Sequence, residues 1–426
     1  MSGLIIFGIL TLLMLTGMPI SISLGLTVLT FLFFMTQVPI EAVAMKLFTG
    51  IEKFEIMAIP FFILAGNFLT HGGVARRMIN FATALVGHLT GGLALGGVLA
   101  CALFAAVSGS SPATVVAIGS IMLPAMVKQG YPMKFGVGVI GTSGALGILI
   151  PPSIVMVIYA VSTNSSIGRL FIAGIIPGLL LAFLLMFVTW FVAKRKNYPR
   201  LPRAGFREVM RTLRESIWGL LLIVVVIGGI YSGVFTATEA AAMSAVYAFI
   251  VAVFVYRDMT LKDVPKTLLA SANMSAMILY IITNAVLFSF LLTSEQIPQR
   301  LSEWISGMGL GSFGFLVMVN LLLLAAGNFM EPSSILLITA PLLFPMAMHL
   351  NIDPIHLGVL MTVNMEAGMI TPPVGLNLYV ASGISHLGLT ETTKACAPWI
   401  LVMILYLILI TYVPGISLWL PNLLFN

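Results

Sequence analysis

Hydroxyls, backbone carbonyls and a carboxylate gather at two matched interruptions of an otherwise apolar chain, and they are the groups with chemistry to offer. The first interruption runs from Ser108-Gly109-Ser110-Ser111-Pro112 to Gly147-Ile148-Leu149-Ile150-Pro151-Pro152. The second runs from Gly327-Asn328-Phe329-Met330-Glu331-Pro332-Ser333-Ser334 to Gly368-Met369-Ile370-Thr371-Pro372-Pro373. Each pairs a polar, Pro-containing turn with a later Gly-x-x-x-Pro-Pro element. Proline removes a backbone donor and disrupts the preceding turn. Carbonyls near Gly147, Leu149 and Ile150, and near Gly368, Ile370 and Thr371, are therefore expected to lack helical partners. Such carbonyls, with Ser and Thr hydroxyls, are neutral oxygen ligands that suit a hard cation such as Na⁺. A broken helix also turns a positive N-terminal end toward its gap, which favours a carboxylate. One cation site per interruption follows.

Plainer readings exist for each feature. Small residues let membrane helices pack closely, but two matched pairs favour ion or substrate sites over packing alone. Glu331 is an acidic group inside a span, hence a functional candidate, with capping of the following helix as its alternative. Glu366 shares that status and is expected nearer a helix surface. Glu239 follows Thr236 in a capping-box pattern and is foremost a structural residue, though it is also kept as a cavity candidate. The run Ser162-Thr163-Asn164-Ser165-Ser166 reads equally as a loop or as the wall of a cavity. Cys101 and Cys396 lie in apolar surroundings and read as packing residues.

The elements that position these groups are membrane helices. Of 426 residues, 60% are hydrophobic and 8% charged, against roughly 25% charged in soluble domains. Apolar runs of about 20 residues recur, each long enough to span a bilayer. They are continuous rather than alternating, which excludes a β-barrel. The expected class is an all-α polytopic membrane protein. The net charge of +6 is no nucleic-acid signal, because the positive charge concentrates in one loop. Lys194, Arg195, Lys196, Arg200, Arg203, Arg207, Arg211 and Arg214 mark residues 194–216 as cytoplasmic. Two spans joined by the Tyr231–Thr238 turn then return the chain to Arg257, Lys262 and Lys266 on the same side. The nearly uncharged start lacks the basic segment of a cleavable leader.

Residues 1–56 hold one or two membrane segments, interrupted at Gly17-Met18-Pro19, and an amphipathic arm expected to lie along the membrane surface. A first unit covers 57–166, with a hairpin at about 92–128 and a broken helix at about 135–161. Residues 167–270 are middle spans around the basic loop. A second unit covers 271–386, with a hairpin at about 313–349 and a broken helix at about 355–382. Residues 387–426 carry a C-terminal span. The units align at an offset that drifts between 220 (Pro112 to Pro332) and 223 (Leu69 to Leu292). That near-constant offset marks an internal repeat. Each hairpin arm has roughly 14–18 residues and covers about 21–27 Å. This is short for a crossing, so the hairpins are expected to be re-entrant with tips near the midplane, where irregular backbone must be buried or line a cavity. Lys128 and Lys134 flank the first hairpin, whereas His349–His356 holds Asp353 and no Lys or Arg, so the repeats are expected to be inverted.

The chain resembles the large membrane subunit of TRAP (tripartite ATP-independent periplasmic) transporters over essentially its whole length. The resemblance rests on Ala58-Ile59-Pro60-Phe61-Phe62-Ile63-Leu64-Ala65-Gly66, Ser108–Ser111, Gly147–Pro152, Phe235-Thr236-Ala237-Thr238-Glu239-Ala240, Ile352-Asp353-Pro354-Ile355-His356 and Thr371-Pro372-Pro373-Val374-Gly375-Leu376-Asn377. It implies an elevator-type, ion-transporter-like fold in the bacterial inner membrane, driven by Na⁺ rather than ATP. It also implies a small four-helix membrane subunit, a periplasmic substrate-binding protein and an organic acid substrate, sialic acid or a C4-dicarboxylate. Two coupling ions are implied: one held by Ser108, Ser110, Gly147, Ile150 and Pro152, the other by Gly327, Glu331, Gly368, Thr371 and Pro373. Thr114, Asn164, Ser166 and Glu239 are candidates for the substrate cavity. The small subunit is expected as a separate chain. Among rivals, a stand-alone symporter of the same architecture needs no soluble partner. A proton-translocating subunit needs a membrane series of Lys, Glu or His, and Glu239, Glu331, Glu366 and His88 form none. A mere scaffold leaves the matched interruptions without a reason.

Overall fold

A computed structural model describes residues 2–36, 38–307 and 311–425. Among the described residues the chain is helical throughout, with no strand, and eight helices are long and apolar enough to cross a membrane. The first segment divides into α1 (Ser2–Leu15) and α2 (Ile20–Met35). Gly17 takes the left-handed conformation between them (φ 84°) and Pro19 caps the second. The arm is α3 (Ile40–Ile51), packed along the later helix α13 (Val264–Ser294). Gly50 permits that approach: a Cβ there would lie 2.9 Å from a Val286 methyl.

The first unit contains α4 (Ala58–His71), α5 (Val74–Val86), α6 (Gly92–Ser108), α7 (Ser111–Lys128), α8 (Met133–Ser143) and α9 (Ile154–Thr163). Between α8 and α9 the chain tightens into a 3₁₀ turn at Gly144–Ile148 and then leaves helical geometry. The middle section is α10 (Ile167–Arg195), α11 (Phe206–Tyr231) and α12 (Ala237–Ile250, extended by a π turn to Val255), and α13 then runs unbroken across the expected boundary at 270 into the second unit. Thr236 and Glu239 form the capping box of α12, as their spacing predicts. Arg76 and Arg77 of α5 pair with Asp258 in the turn before α13.

The second unit contains α14 (Ile297–Gly307), α15 (Ser312–Gly327), α16 (Pro332–His349), α17 (Pro354–Met369) and α18 (Leu376–Ser385). The chain continues with α19 (Leu389–Tyr412) and α20 (Gly415–Leu424). The C-terminal region holds the expected span, α19, and a further ten-residue helix, α20, separated from it by a break. The reason is local: Pro414 has no N–H to continue α19 and instead precedes the first turn of α20. Two buried hydrogen bonds tie α19 to α10, from Trp399 Nε1 to Thr189 Oγ1 (3.0 Å) and from the Tyr406 hydroxyl to the Pro177 carbonyl (2.7 Å).

The units interlock. Each helical pair, α6 with α7 and α15 with α16, packs on the broken helix of its own unit. The second arm of each also packs on the far half of the other unit's broken helix, α7 on α18 and α16 on α9. Both polar turns and both breaks are thereby drawn into one neighbourhood.

Candidate functional site

The turns are built by different local means. In the first, Gly109 closes α6 with φ 60°, which a Cβ disfavours, and extended Ser110 starts α7. In the second, extended Glu331 caps α16, its carboxylate accepting from Ser333 Oγ (2.7 Å) and the Ser334 N–H (3.4 Å). Pro112 and Pro332 both lie in the first helical turn, where a missing N–H costs least.

At the first break the tip and the unwound chain touch. A Cβ on Gly147 would lie 2.5 Å from the Ser110 carbonyl oxygen, and one on Gly109 would lie 3.0 Å from the Pro152 carbonyl oxygen. Ser108 Oγ is 2.8 Å from Thr114 Oγ1 and 3.3 Å from the Ser110 carbonyl, which also accepts from Thr114 Oγ1. Among the described residues, the carbonyls of Gly147, Ile150 and Pro152 accept no backbone or side-chain hydrogen bond beyond regular helix bonding, nor does Leu149. Ser153 satisfies the Ile148 carbonyl (2.6 Å) and caps α9. Ser108, Ser110, Gly147 and Pro152 are thus brought together, with Ile150 next in chain and its side chain turned against Gly178 of α10.

The second break repeats the arrangement with smaller groups. A Cβ on Gly368 would lie 2.8 Å from the Gly327 Cα. The Asn328 carbonyl of the tip accepts from the Gly375 N–H beyond the break (3.2 Å). One expectation needs correction: the Gly368 carbonyl is partnered, by the Thr371 N–H at 3.1 Å. The 3₁₀-like closure of α17 supplies that donor. Thr371 Oγ1 bonds back to the Ala367 carbonyl (2.5 Å). The breaks also differ in exposure, since Pro151 and Pro152 are buried whereas Pro372 and Pro373 are exposed.

Between these parts lies a cavity of about 400 Å³. Gly109, Ser110 and Pro112 of one tip and Glu331, Pro332 and Ser333 of the other face it. Ile148 and Met369 reach it from the breaks, and Met274 and Met277 of α13 close it. This is a mostly apolar wall with a few convergent polar groups, the usual make-up of a small-ligand site.

None of the four cavity candidates lines it. Thr114 is fully buried within the first tip's hydroxyl cluster. Asn164 closes α9 in the left-handed conformation, and Ser166 caps α10. Glu239 is engaged by Thr236 at the start of α12. Thr114, Ser166 and Glu239 are held by local hydroxyl or capping bonds, and the Asn164 side chain accepts from Lys53. Glu366 also departs from expectation. It is fully buried, not near a surface, because α17 is packed on every side, and its carboxyl group lies beside the backbone N–H groups of Ile148 and Leu149 without a well-aligned hydrogen bond among the described residues.

Local reading missed the link between the units. Asn377, the second residue of α18, donates to Ser111 Oγ (2.6 Å), which donates to the Gly144 carbonyl (2.9 Å). Both side chains are fully buried. The polar Asn in Gly-Leu-Asn directly after the Pro-Pro element was the available signal.

Residues 7–416 match the family model for the DctM component of tripartite ATP-independent periplasmic transporters. The chain is 70% identical, over the whole of both chains, to the C4-dicarboxylate TRAP transporter large permease protein of Rhodobacter capsulatus. It is 56% identical to the protein of the same description from Pseudomonas aeruginosa, over 94% of each chain. Among solved structures, the YdaH transporter of Alcanivorax borkumensis has a similar fold, with a TM-score of 0.64 over 90% of each chain at 16% identity.

Proposed function

The chain belongs to the DctM component family of tripartite ATP-independent periplasmic transporters, and on that premise we propose that it couples Na⁺ entry to import of a C4-dicarboxylate. As a large permease subunit it is a multi-pass membrane transport protein. The observation that carries the proposal is the pair of tip–break contacts, at Ser110 with Gly147 and at Gly327 with Gly368, beside a cavity that both tips line through Ser110 and Glu331. In the first, the carbonyls of Gly147, Leu149, Ile150 and Pro152 accept no hydrogen bond beyond regular helix bonding among the described residues. One Na⁺ at each contact is then held by Ser108, Ser110, Gly147, Ile150 and Pro152, and by Gly327, Glu331, Gly368, Thr371 and Pro373.

The arrangement gives a physical reason for coupling. Glu331 faces the cavity, and an ionised carboxylate repels an incoming dianion. Like charges 4–8 Å apart at an effective dielectric constant of about 20 cost of order 2–4 kcal/mol. A cation bound beside Glu331 cancels that cost, so ion binding favours substrate binding and the reverse. The two helix starts beyond the tips, α7 and α16, add partial positive charge.

In this reading the basic loop 194–216 is cytoplasmic in the bacterial inner membrane, and the hairpins are re-entrant with inverted topology. The hairpins and broken helices, α6–α9 and α15–α18, move together as the elevator against α4, α10–α13 and the N-terminal arm. A separate four-helix membrane subunit completes the scaffold, and a periplasmic binding protein delivers the substrate. The C4-dicarboxylate assignment follows the descriptions of the relatives at 70% and 56% identity. The test is uptake of succinate into proteoliposomes holding both membrane subunits, with the loaded binding protein outside. Uptake is expected to need an inward Na⁺ gradient and the binding protein. Undiminished uptake in Na⁺-free buffer overturns the coupling, and uptake by this chain alone favours a stand-alone symporter.

A further inference from the structure

A second cleft, of about 380 Å³, lies between the N-terminal arm, α13 and the two units. Its charged side chains are both cationic, Lys46 on α3 and Lys53 just beyond it. Thr49, Ser162 and Thr293 also line it, but their hydroxyls donate to the Met45, Ile158 and Ser289 carbonyls of their own helices, which leaves the Ser289 hydroxyl to face a ligand. Neither lysine has an acidic partner among the described residues. Lys46 is exposed, its ammonium 5.4 Å from the centre of the Phe290 ring. Lys53 is half-buried and reaches across to α9, donating to the Val161 carbonyl (2.9 Å) and to Asn164 Oδ1 (2.7 Å). Two ammonium groups without counter-ions among the described residues, with the Ser289 hydroxyl beside them in a concave cleft, recognise a carboxylate or phosphate.

We propose that this cleft is an outward-facing entry site for the carboxylates of the transported dianion, with Lys46 and Lys53 as its charged ligands. The inference rests on the transport reading above and on the cytoplasmic placement of the basic loop. That placement puts the Asn164 end of α9 and the Thr293 end of α13 on the opposite, periplasmic side, because α10 runs into the basic loop and α13 begins just after Lys262. The cleft sits where the arm meets the repeat units. Lys53 bridges the two by donating to the C-terminal end of α9, where a cation is favoured. An arriving carboxylate competes for the same ammonium, so capture of substrate and release of this bridge are one event.

The test uses the complete complex in nanodiscs, with amine-reactive labelling of lysines read by mass spectrometry. In zwitterionic lipid, succinate is expected to protect Lys46 and Lys53, while chloride of equal ionic strength leaves them reactive. No protection by succinate overturns the proposal. Protection by anionic lipid without succinate, and none by succinate, assigns the cleft to a lipid headgroup and also overturns it. In proteoliposomes at low substrate, Lys46→Gln is expected to lower uptake about threefold and Lys53→Gln about tenfold, with arginine restoring both. Glutamine at Lys53 retains a donor to α9, so a purely capping role predicts no loss and parent-like uptake counts against the site. The Na⁺ requirement measured in the same vesicles decides the transport reading separately.

Discussion

Gly147→Ala measures how closely the first tip must rest on the first break. The added Cβ would meet the Ser110 carbonyl oxygen at 2.5 Å, and the Ser110 carbonyl carbon and Ser111 Cα at 2.7 Å each. All three are backbone atoms, so no rotamer change relieves the contact. A carbon and a carbonyl oxygen settle at roughly 3.3 Å or more, so tip and break must part by about 0.8 Å. Overpacking of this kind costs about 1–3 kcal/mol. If that strain falls on the ion-bound state, the Na⁺ concentration for half-maximal uptake rises about fivefold to a hundredfold. The assay is a Na⁺ titration of succinate uptake by the reconstituted complex, with thermal unfolding of the purified complex alongside. Gly383→Ala is the control, since a Cβ there meets nothing within 4 Å and alanine is the better helix former. Parent-like Na⁺ dependence in Gly147→Ala would refute the reasoning that this contact frames an ion site.

Other outcomes are expected on the same basis. Ser110 Oγ makes no hydrogen bond among the described side-chain contacts and Thr371 Oγ1 only returns to its own helix. Ser110→Ala and Thr371→Ala should therefore each weaken Na⁺ dependence while changing thermal stability by no more than about 0.5 kcal/mol. Asn377→Ala removes the 2.6 Å bond to Ser111 and should cost about 1–3 kcal/mol; a double-mutant cycle with Ser111→Ala should show coupling, and additive effects would argue against the link. Partial burial raises the Asp258 carboxyl, but the hydrogen bond and charge of Arg77, with Arg76 behind it, outweigh this and hold it below the ordinary carboxylate range. Its stabilising share is therefore present above the unfolded carboxylate pKa and lost as pH falls through the lowered folded value. Asp258→Asn should narrow the difference in melting temperature between neutral and acidic buffer.

Much of the architecture was legible because its punctuation is chemical. Gly109 and the Pro-Pro pairs interrupt helices by sterics and missing donors, and the structure leaves helical geometry at each, while Pro112 sits in the first turn of the next helix. The all-helical class followed from continuous apolar runs. What stayed hidden depends on partners distant in sequence. The bond from Asn377 to Ser111 spans 266 positions, and that from Lys53 to Asn164 spans 111. No local period encodes either. The burial of Glu366 depends on what surrounds α17, and the unequal exposure of the two Pro-Pro elements depends on neighbours outside the repeat. Symmetric sequence therefore gave matched breaks without matched surroundings.

The central claim is one Na⁺ at each break. Calorimetric Na⁺ titration of the purified complex in nanodiscs, with Ser110→Ala and Thr371→Ala beside the parent, tests it without relying on transport. The account predicts two Na⁺ sites in the parent, with each variant weakening a different one. A single site in the parent, or both variants weakening the same site, would contradict it.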